Sequence, residues 1–595
     1  DSTGGSLTAN ADLTSTAGNV TVLADTSATL ADQVTVSAQT SGEVRMDAVT
    51  AELDAGDSVT VQSATGKVHL TAETDLSFGS TAVVRTSADG DVVLATDTGN
   101  LSFGNDATVE NNDSESSGTG KVDLSAASYV LFGDNATLGT GGSGNVVLAS
   151  LGSGGTDGAD GRIEFGTSAS LTSATGTIDL SANTYLVFGE SASLQTSGDG
   201  DLLLEAVGGR IDMANNATIA NDDSVSSGTG KVDLSAASYV LFGDNATLGT
   251  GGSGNVVLAS LGSGGTDGAD GRIEFGTSAS LTSATGTIDL SANTYLVLGD
   301  TATLQTSGPG KVLLDAVGGR IEVGSNTTVG SGTGALLLTA QTDLTIGTGA
   351  DVSTGTGGLV LLDAATGSLT IHAADTPGDR SSVTAGDSGH LTLTALTDLT
   401  LDPGVTVSAG DSGTLLLEAA EGTLSLDAAS TLQTSGGDMI LRAGDGTEDE
   451  LTVGVADTGT GNLYLRSAGA ILDADGAATL NLTAAGLALD AGTSIGELGA
   501  SADPLEISVD TLAAVADGAG GINLLEADGV TVATVQSSVD PDFSAVVEKV
   551  TSAGTTTPTK AGPLSDLRTT GAITANGSIV LRLTTGDLTL EDGTA

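Results

Sequence analysis

From Gly18 to Gly461 the chain repeats one short phrase: glycine, any residue, Val/Leu/Ile, any residue, an apolar residue, any residue, then usually Ala or Ser. It reads Gly66-Lys-Val68-His-Leu70-Thr-Ala72 and, much later, Gly334-Ala-Leu336-Leu-Leu338-Thr-Ala340. Successive side chains of a strand point to opposite sides, so apolar residues two apart mark one buried face. A full repeat from Gly66, GKVHLTAETDLSFGSTAVVRTSAD, holds three such runs: Val68/Leu70/Ala72, Leu76/Phe78 and Ala82/Val84. Gly, Thr, Ser and Asp separate them, as turns require. Eighteen glycines anchor the phrase, and twelve of the seventeen gaps between them are 24 residues; the others are 30, 32, 30, 32 and 31. Strand-only repetition at this period predicts an all-β parallel β-helix, a solenoid with about 24 residues and three short strands per coil.

The aromatic positions fix a register. Seven of the eight phenylalanines fall in one slot of the repeat: Phe78, Phe103, Phe132, Phe165, Phe188, Phe242 and Phe275. The same slot elsewhere holds Met213, Leu298, Val323, Ile346 and Ile371. Neighbouring coils lie about 4.8 Å apart, so this slot is expected to form an internal apolar column with its rings stacked. Gly79, after the second run, marks a turn that needs positive φ or a close backbone approach. Tyr129, Tyr185, Tyr239 and Tyr295 recur beside the Phe slot. They either line a binding stripe or finish the edge of the core.

Residues 1–466 read as the regular β-helix. Within them residues 116–187 recur unchanged as 226–297, an offset of 110 residues, and the looser match extends this super-repeat over about 82–301. A spacer or a multivalent adhesive tolerates such duplication, whereas an enzyme seldom needs its centre twice. Residues 467–595 lose the clean ladder and read as a less regular continuation of the solenoid. Four prolines fall there, and Ser537–Thr570 is a loop, a small excursion or an element packed on the side. Asp1 opens directly into repeat-like sequence, so the chain is expected to be a piece of something longer.

Charge changes the picture next. Seventy-five acidic residues face 17 basic ones, a formal net charge of −58. That argues against nucleic acid or an anionic membrane as partner, because phosphate binding needs positive patches. It suits high solubility, salty surroundings or divalent cations at the surface. There is no cysteine, and a long solenoid needs no disulfide for its core. No apolar run is long enough to span a bilayer, so no transmembrane segment is expected.

Candidate chemistry is confined to acidic loops. Asp157 and Asp160 sit in a Gly-rich loop, and Asp222 and Asp223 in an Asn/Asp run. Asp445, Glu448, Asp449 and Glu450 form the densest acidic patch. Crowded carboxylates repel unless solvated or bridged by a cation, which makes these residues candidate surface Ca²⁺ sites and, equally, ordinary solvated turns. Asn111–Glu115 reads as a loop pushed out of a corner. His372, Asp375 and Arg380 crowd together in a Pro/Gly turn. No catalytic or cofactor-binding residues are assigned, and no cofactor is required.

Phrases such as Gly461-Asn-Leu-Tyr-Leu-Arg-Ser-Ala-Gly-Ala-Ile471, Pro504-Leu-Glu-Ile507 and Gly520-Gly-Ile-Asn-Leu-Leu-Glu526-Ala-Asp528-Gly-Val530-Thr-Val532 resemble those of giant filamentous-haemagglutinin-like bacterial surface proteins. The resemblance is one of repeat style and covers most of the chain. It implies a right-handed β-helix, export to the bacterial outer surface and a structural or adhesive role. The implied partners are other copies end to end, or covalent continuation in a longer chain, and a cell-surface glycan or protein. No family secretion domain is evident, and no catalytic residue carries over. The alternatives are a polysaccharide-binding or polysaccharide-degrading β-helix and a tailspike-like trimer. The first lacks Trp and has few basic residues, and the second lacks an exposed apolar stripe or a trimer domain.

Overall fold

A computed structural model describes residues 2–112, 118–152, 161–222, 228–262, 271–373, 380–476, 479–499, 502–570 and 577–591. Among them there is no helix: the elements are short strands, nearly all paired in parallel. The fold is a parallel β-solenoid. It divides into two compact units, Asp1–Thr294 and Tyr295–Ala595.

In the first unit strands of five, three and four residues alternate, as in Val68–Ala72, Leu76–Phe78 and Val83–Thr86. Each pairs with the strand three places before it and three places after, in register with the sequence repeat: Val68 lies beside Val92, Leu76 beside Leu101 and Val83 beside Thr108. Apolar slots therefore stack on apolar slots. Phe78, Phe103, Phe132, Phe165 and Phe188 form one stack with ring centroids 4.8–5.2 Å apart and planes within 6°. Met213 follows in the same column, then Phe242 and Phe275 at 4.5 Å. The expected column is present.

The anchoring glycines form a column too, and the reason is space. A Cβ on Gly144 would lie 2.0 Å from the carbonyl oxygen of Gly120, and one on Gly254 only 1.8 Å from that of Gly230. The carbonyls so approached are capped by buried side chains at the ends of the four-residue strands. Thr86 Oγ1 donates to Gly66 O (2.7 Å), Asn111 Nδ2 to Gly90 O (2.6 Å) and Thr196 Oγ1 to Gly176 O (2.8 Å). Asn111 is thus the end of a strand rather than part of a loop, while Asp113–Glu115 lie outside the described residues.

The turn after the Phe slot resolves the two expectations for Gly79 in favour of close approach: its Cβ would meet Asp57 N at 2.7 Å. Positive φ falls two residues later, on non-glycine residues such as Thr81 (58°), Asp106 (59°) and Asn135 (56°). Asx side chains tie this turn to the next one. Asn105 Oδ1 accepts Asp134 N–H (3.0 Å), and Asp134 Oδ1 accepts Thr167 N–H (2.8 Å).

The second unit begins with the same arrangement, Leu298, Val323, Ile346 and Ile371 filling the column. Beyond Gly461 the strands lengthen. Leu482–Ala491 and Leu505–Ala516 pair with each other, and the latter also pairs with Gly521–Glu526, Val530–Val532 and Leu567–Thr569. Ser537–Thr570 is in part a side-packing element, its last strand, Leu567–Thr569, having rejoined the main sheet. Its strands Ala545–Val550 and Thr556–Ala561 form an antiparallel hairpin laid on the outer face of this unit.

Candidate functional site

The acidic residues singled out in the sequence do not gather into one site. Asp157, Asp160 and Asp223 lie outside the described residues, and Asp222 is exposed just past its strand. In the patch after Met439–Ala443, Asp449 turns inward on its own loop: Oδ2 accepts Gly446 N–H (2.7 Å) and Asp445 N–H (3.2 Å). Asp445, Glu448 and Glu450 are exposed around it. Among the described residues, no three His, Asp or Glu side chains converge in a way suited to a metal ion. His372 pairs through Nδ1 with Asp402 Oδ2 (2.8 Å), Arg380 is exposed, and Asp375 is outside the described residues.

The tyrosines stand in a column whose other half is arginine. In the first unit Tyr129, Arg162, Tyr185, Arg210, Tyr239 and Arg272 each precede the three-residue strand of successive turns. Arg162 lies over Tyr129 (5.2 Å to the ring centroid), Arg210 over Tyr185 (4.7 Å) and Tyr239 (5.6 Å), and Arg272 over Tyr239 (4.9 Å). Arg320 covers Tyr295 (5.1 Å) in the second unit. Each guanidinium also meets the carboxylate two residues on, as Arg162 meets Glu164 at 3.3 Å. Burial pushes the Asp212 carboxyl up, against the Arg210 guanidinium that pulls it down. The cation–π contacts run from turn to turn while the ion pairs lie within one turn, so the column stabilises the turn-to-turn stack. The sequence signal was the strict alternation of Tyr and Arg before the second apolar run of each coil from Tyr129 to Arg320.

On the second unit the hairpin is held by side chains of successive turns. Buried Asp438 accepts Asn462 N–H (2.9 Å), Val546 N–H (2.8 Å) and the Ser537 hydroxyl (2.5 Å). Thr414 Oγ1 accepts Glu548 N–H, and Thr392 Oγ1 accepts Val550 N–H, both at 2.9 Å. Lys549 (3.4 Å) and Arg442 (3.5 Å) share Glu418. Beneath the hairpin Leu416, Ile440, Tyr464 and Ala488 pack with Val535, Ala545 and Val547, while Leu337 and Leu361 pack with Val550. Burial, with the Asp490 carboxylate beside it, pushes the Tyr464 phenol up to about 12, and its hydroxyl donates to Asp490 (3.2 Å). The outward positions Leu337, Leu361, Leu416 and Ile440 break the alternation expected of a bare face; that was the unread sign of a cover. A groove of about 320 Å³ follows the hairpin, lined by Leu361, Asp363, Thr394, Glu418, Lys549 and Thr551.

No protein-family model, no curated protein and no solved structure matches the chain. What distinguishes the molecule is therefore its own geometry. The Phe stack, the glycine column and the Tyr–Arg column join each turn to its neighbours. The hairpin joins turns far apart: Lys311 Nζ reaches Ala553 O (3.5 Å), and Asn462 Nδ2 reaches Ser544 O (2.8 Å).

Proposed function

We propose that this chain is a structural or adhesive element of an extracellular fibre on a bacterial surface, part of a longer or polymeric assembly. The observation that carries the proposal is the unchanged module 116–187/226–297, whose described side chains chiefly serve contacts to the next turn. Such a module is useful in proportion to its number, as in solenoids whose stability adds turn by turn. We read the solenoid as three strands per coil, consistent with pairing at every third strand, and as right-handed, because parallel strand crossovers almost always are. The resemblance of its repeats to filamentous-haemagglutinin-like surface proteins supports the same reading. Partners on this reading are further copies end to end, or covalent continuation, and a glycan or protein of a cell surface. Exposed carboxylates, Asp445, Glu448 and Glu450 among them, offer Ca²⁺ a place to bridge acidic neighbours.

Electron microscopy of native source material, in calcium and then in chelator, tests this. Long fibres with an axial repeat near 4.8 Å are expected. Unravelling in chelator would add a calcium role. Isolated short particles in both conditions would refute a fibre.

A further inference from the structure

Two buried glutamates flank one strand contact in the second unit. Strands Leu505–Ala516 and Gly521–Glu526 meet through three pairs: Leu505 beside Leu524, Glu506 beside Leu525, and Ile507 beside Glu526. Side chains alternate along a strand, so Glu506 and Glu526 stand on opposite faces of this short contact. Glu526 is 0% exposed and shares the inner face with Ile507, with Leu583 opposite it on the next strand. Glu506 is 6% exposed on the outer face, its N–H donating to Asn481 Oδ1 (3.0 Å). In each, Oε2 is buried without a hydrogen-bond partner. A carboxylate does not tolerate that, whereas a neutral carboxyl demands far less.

We propose that Glu506 and Glu526 form a proton-operated lock on this contact: neutral, they keep it closed, and ionised, they open it and loosen Ile579–Leu583 and Leu588–Leu590, which attach through Gly521–Glu526 and Val530–Val532. The carboxylates around them favour the neutral form. Asp473, Asp475 and Asp503 face Glu506, with Glu497 beyond Asp503. Asp473 is itself engaged by Asn481 Nδ2 (2.7 Å) and by the N–H groups of Asp475 (3.2 Å) and Gly476 (3.0 Å). The Asp528 carboxyl lies beside Glu526, and the Asp528 N–H donates to Glu526 Oε1 (3.3 Å). The nearest cation in register is Arg582, one strand past Glu506 with Leu525 between them, and it is exposed. Burial, then the three aspartates, push Glu506 up to about 7. Burial, then the neighbouring Asp528 carboxyl, push Glu526 up to about 7, against the Asp528 N–H that pulls it down.

Both carboxyls therefore bind protons more tightly folded than unfolded. The closed contact is strongest below the ordinary glutamate range and weakens as pH rises from there to about 7. Hydrogen–deuterium exchange of the whole chain at pH 5 and pH 8, corrected for intrinsic rates, measures it. Peptides over 505–526 and 579–590 are expected to lose protection by roughly 50- to 100-fold for each carboxyl that ionises on opening, and by roughly a thousand-fold or more for the two together, because a tenfold difference in proton affinity between closed and open forms is a tenfold change in the opening equilibrium. Strands Val68–Ala72 and Val92–Thr96 are expected to change little. Glu506→Gln and Glu526→Gln should each remove about half of the loss, on a logarithmic scale, and the double variant nearly all of it; if Glu526→Gln fails to fold, the wild-type profile and Glu506→Gln decide. Equal pH dependence in all strands would overturn the proposal, as would Gln variants that keep the wild-type profile. Protection restored at pH 8 by millimolar Ca²⁺ would also overturn it, by making the cluster a cation site.

Discussion

Replacing one anchoring glycine tests the packing argument most directly. In Gly144→Ala the new methyl lies 2.0 Å from Gly120 O and 2.7 Å from Gly120 C, where ordinary contact begins at 3.4 Å. The obstacle is backbone, so relief means opening the spacing between two turns by about 1.4 Å locally. That strains the neighbouring hydrogen bonds Val122 N–H to Asn145 O (3.0 Å) and Thr140 Oγ1 to Gly144 O (2.8 Å). Overpacking costs about 1–3 kcal/mol. Weakening one or two hydrogen bonds adds about 1 kcal/mol each. The stiffer unfolded chain returns about 0.4–1 kcal/mol. The net expectation is about 2–4 kcal/mol. Because a solenoid opens locally, exchange of Val122–Ala126 and Val146–Ser150 should rise by roughly 30- to 1,000-fold, each tenfold being about 1.4 kcal/mol. Gly18→Ala is the control: its methyl meets nothing closer than Ser15 Oγ at 3.6 Å, and its effect should stay within about 0.5 kcal/mol. Unchanged exchange in Gly144→Ala, or equal damage from Gly18→Ala, would refute the reasoning.

Other expectations rest on different contacts. Phe132→Ala, inside the five-ring stack and 2% exposed, should cost about 3–5 kcal/mol, and Phe132→Leu clearly less; denaturant titration with exchange read on Leu101–Phe103 and Ile163–Phe165 checks both. Asp438→Ala leaves the Val546 and Asn462 N–H groups and the Ser537 hydroxyl without their acceptor. At about 1–3 kcal/mol per unsatisfied buried group it should release the hairpin, seen as proteolysis within 545–561 while Val68–Ala72 stays protected. Thr81 holds φ at 58° with a β-branched side chain, so Thr81→Asn should stabilise by up to about 1 kcal/mol; a fall in stability would mean the turn tolerates threonine without strain.

Much of this was legible because a solenoid converts sequence period directly into spatial neighbourhood. Once the 24-residue phrase is aligned, Phe78 must face Phe103 and Gly120 must approach Gly144. The tyrosines drew notice and their arginine partners did not, because Tyr and Arg belong to different residue classes although they alternate in one slot of the repeat, and only the folded stack lays one over the other. The acidic runs pointed elsewhere: Asp449 closes its own turn, and the carboxylates with the most perturbed surroundings, Glu506 and Glu526, sit in irregular strands where no period marks them.

The division has a physical cause. Sequence alone determined the strands, their inward faces, the register and the stacked columns, since all follow from local alternation and a near-constant repeat. Tertiary structure alone decided that Ala545–Ala561 returns to cover Leu337, Leu416 and Ile440, and that Asp438 receives Val546 N–H from 108 residues away. It also decided that Glu506 and Glu526 flank one contact. Those pairings join segments of different period, and no repeat constrains where such segments meet.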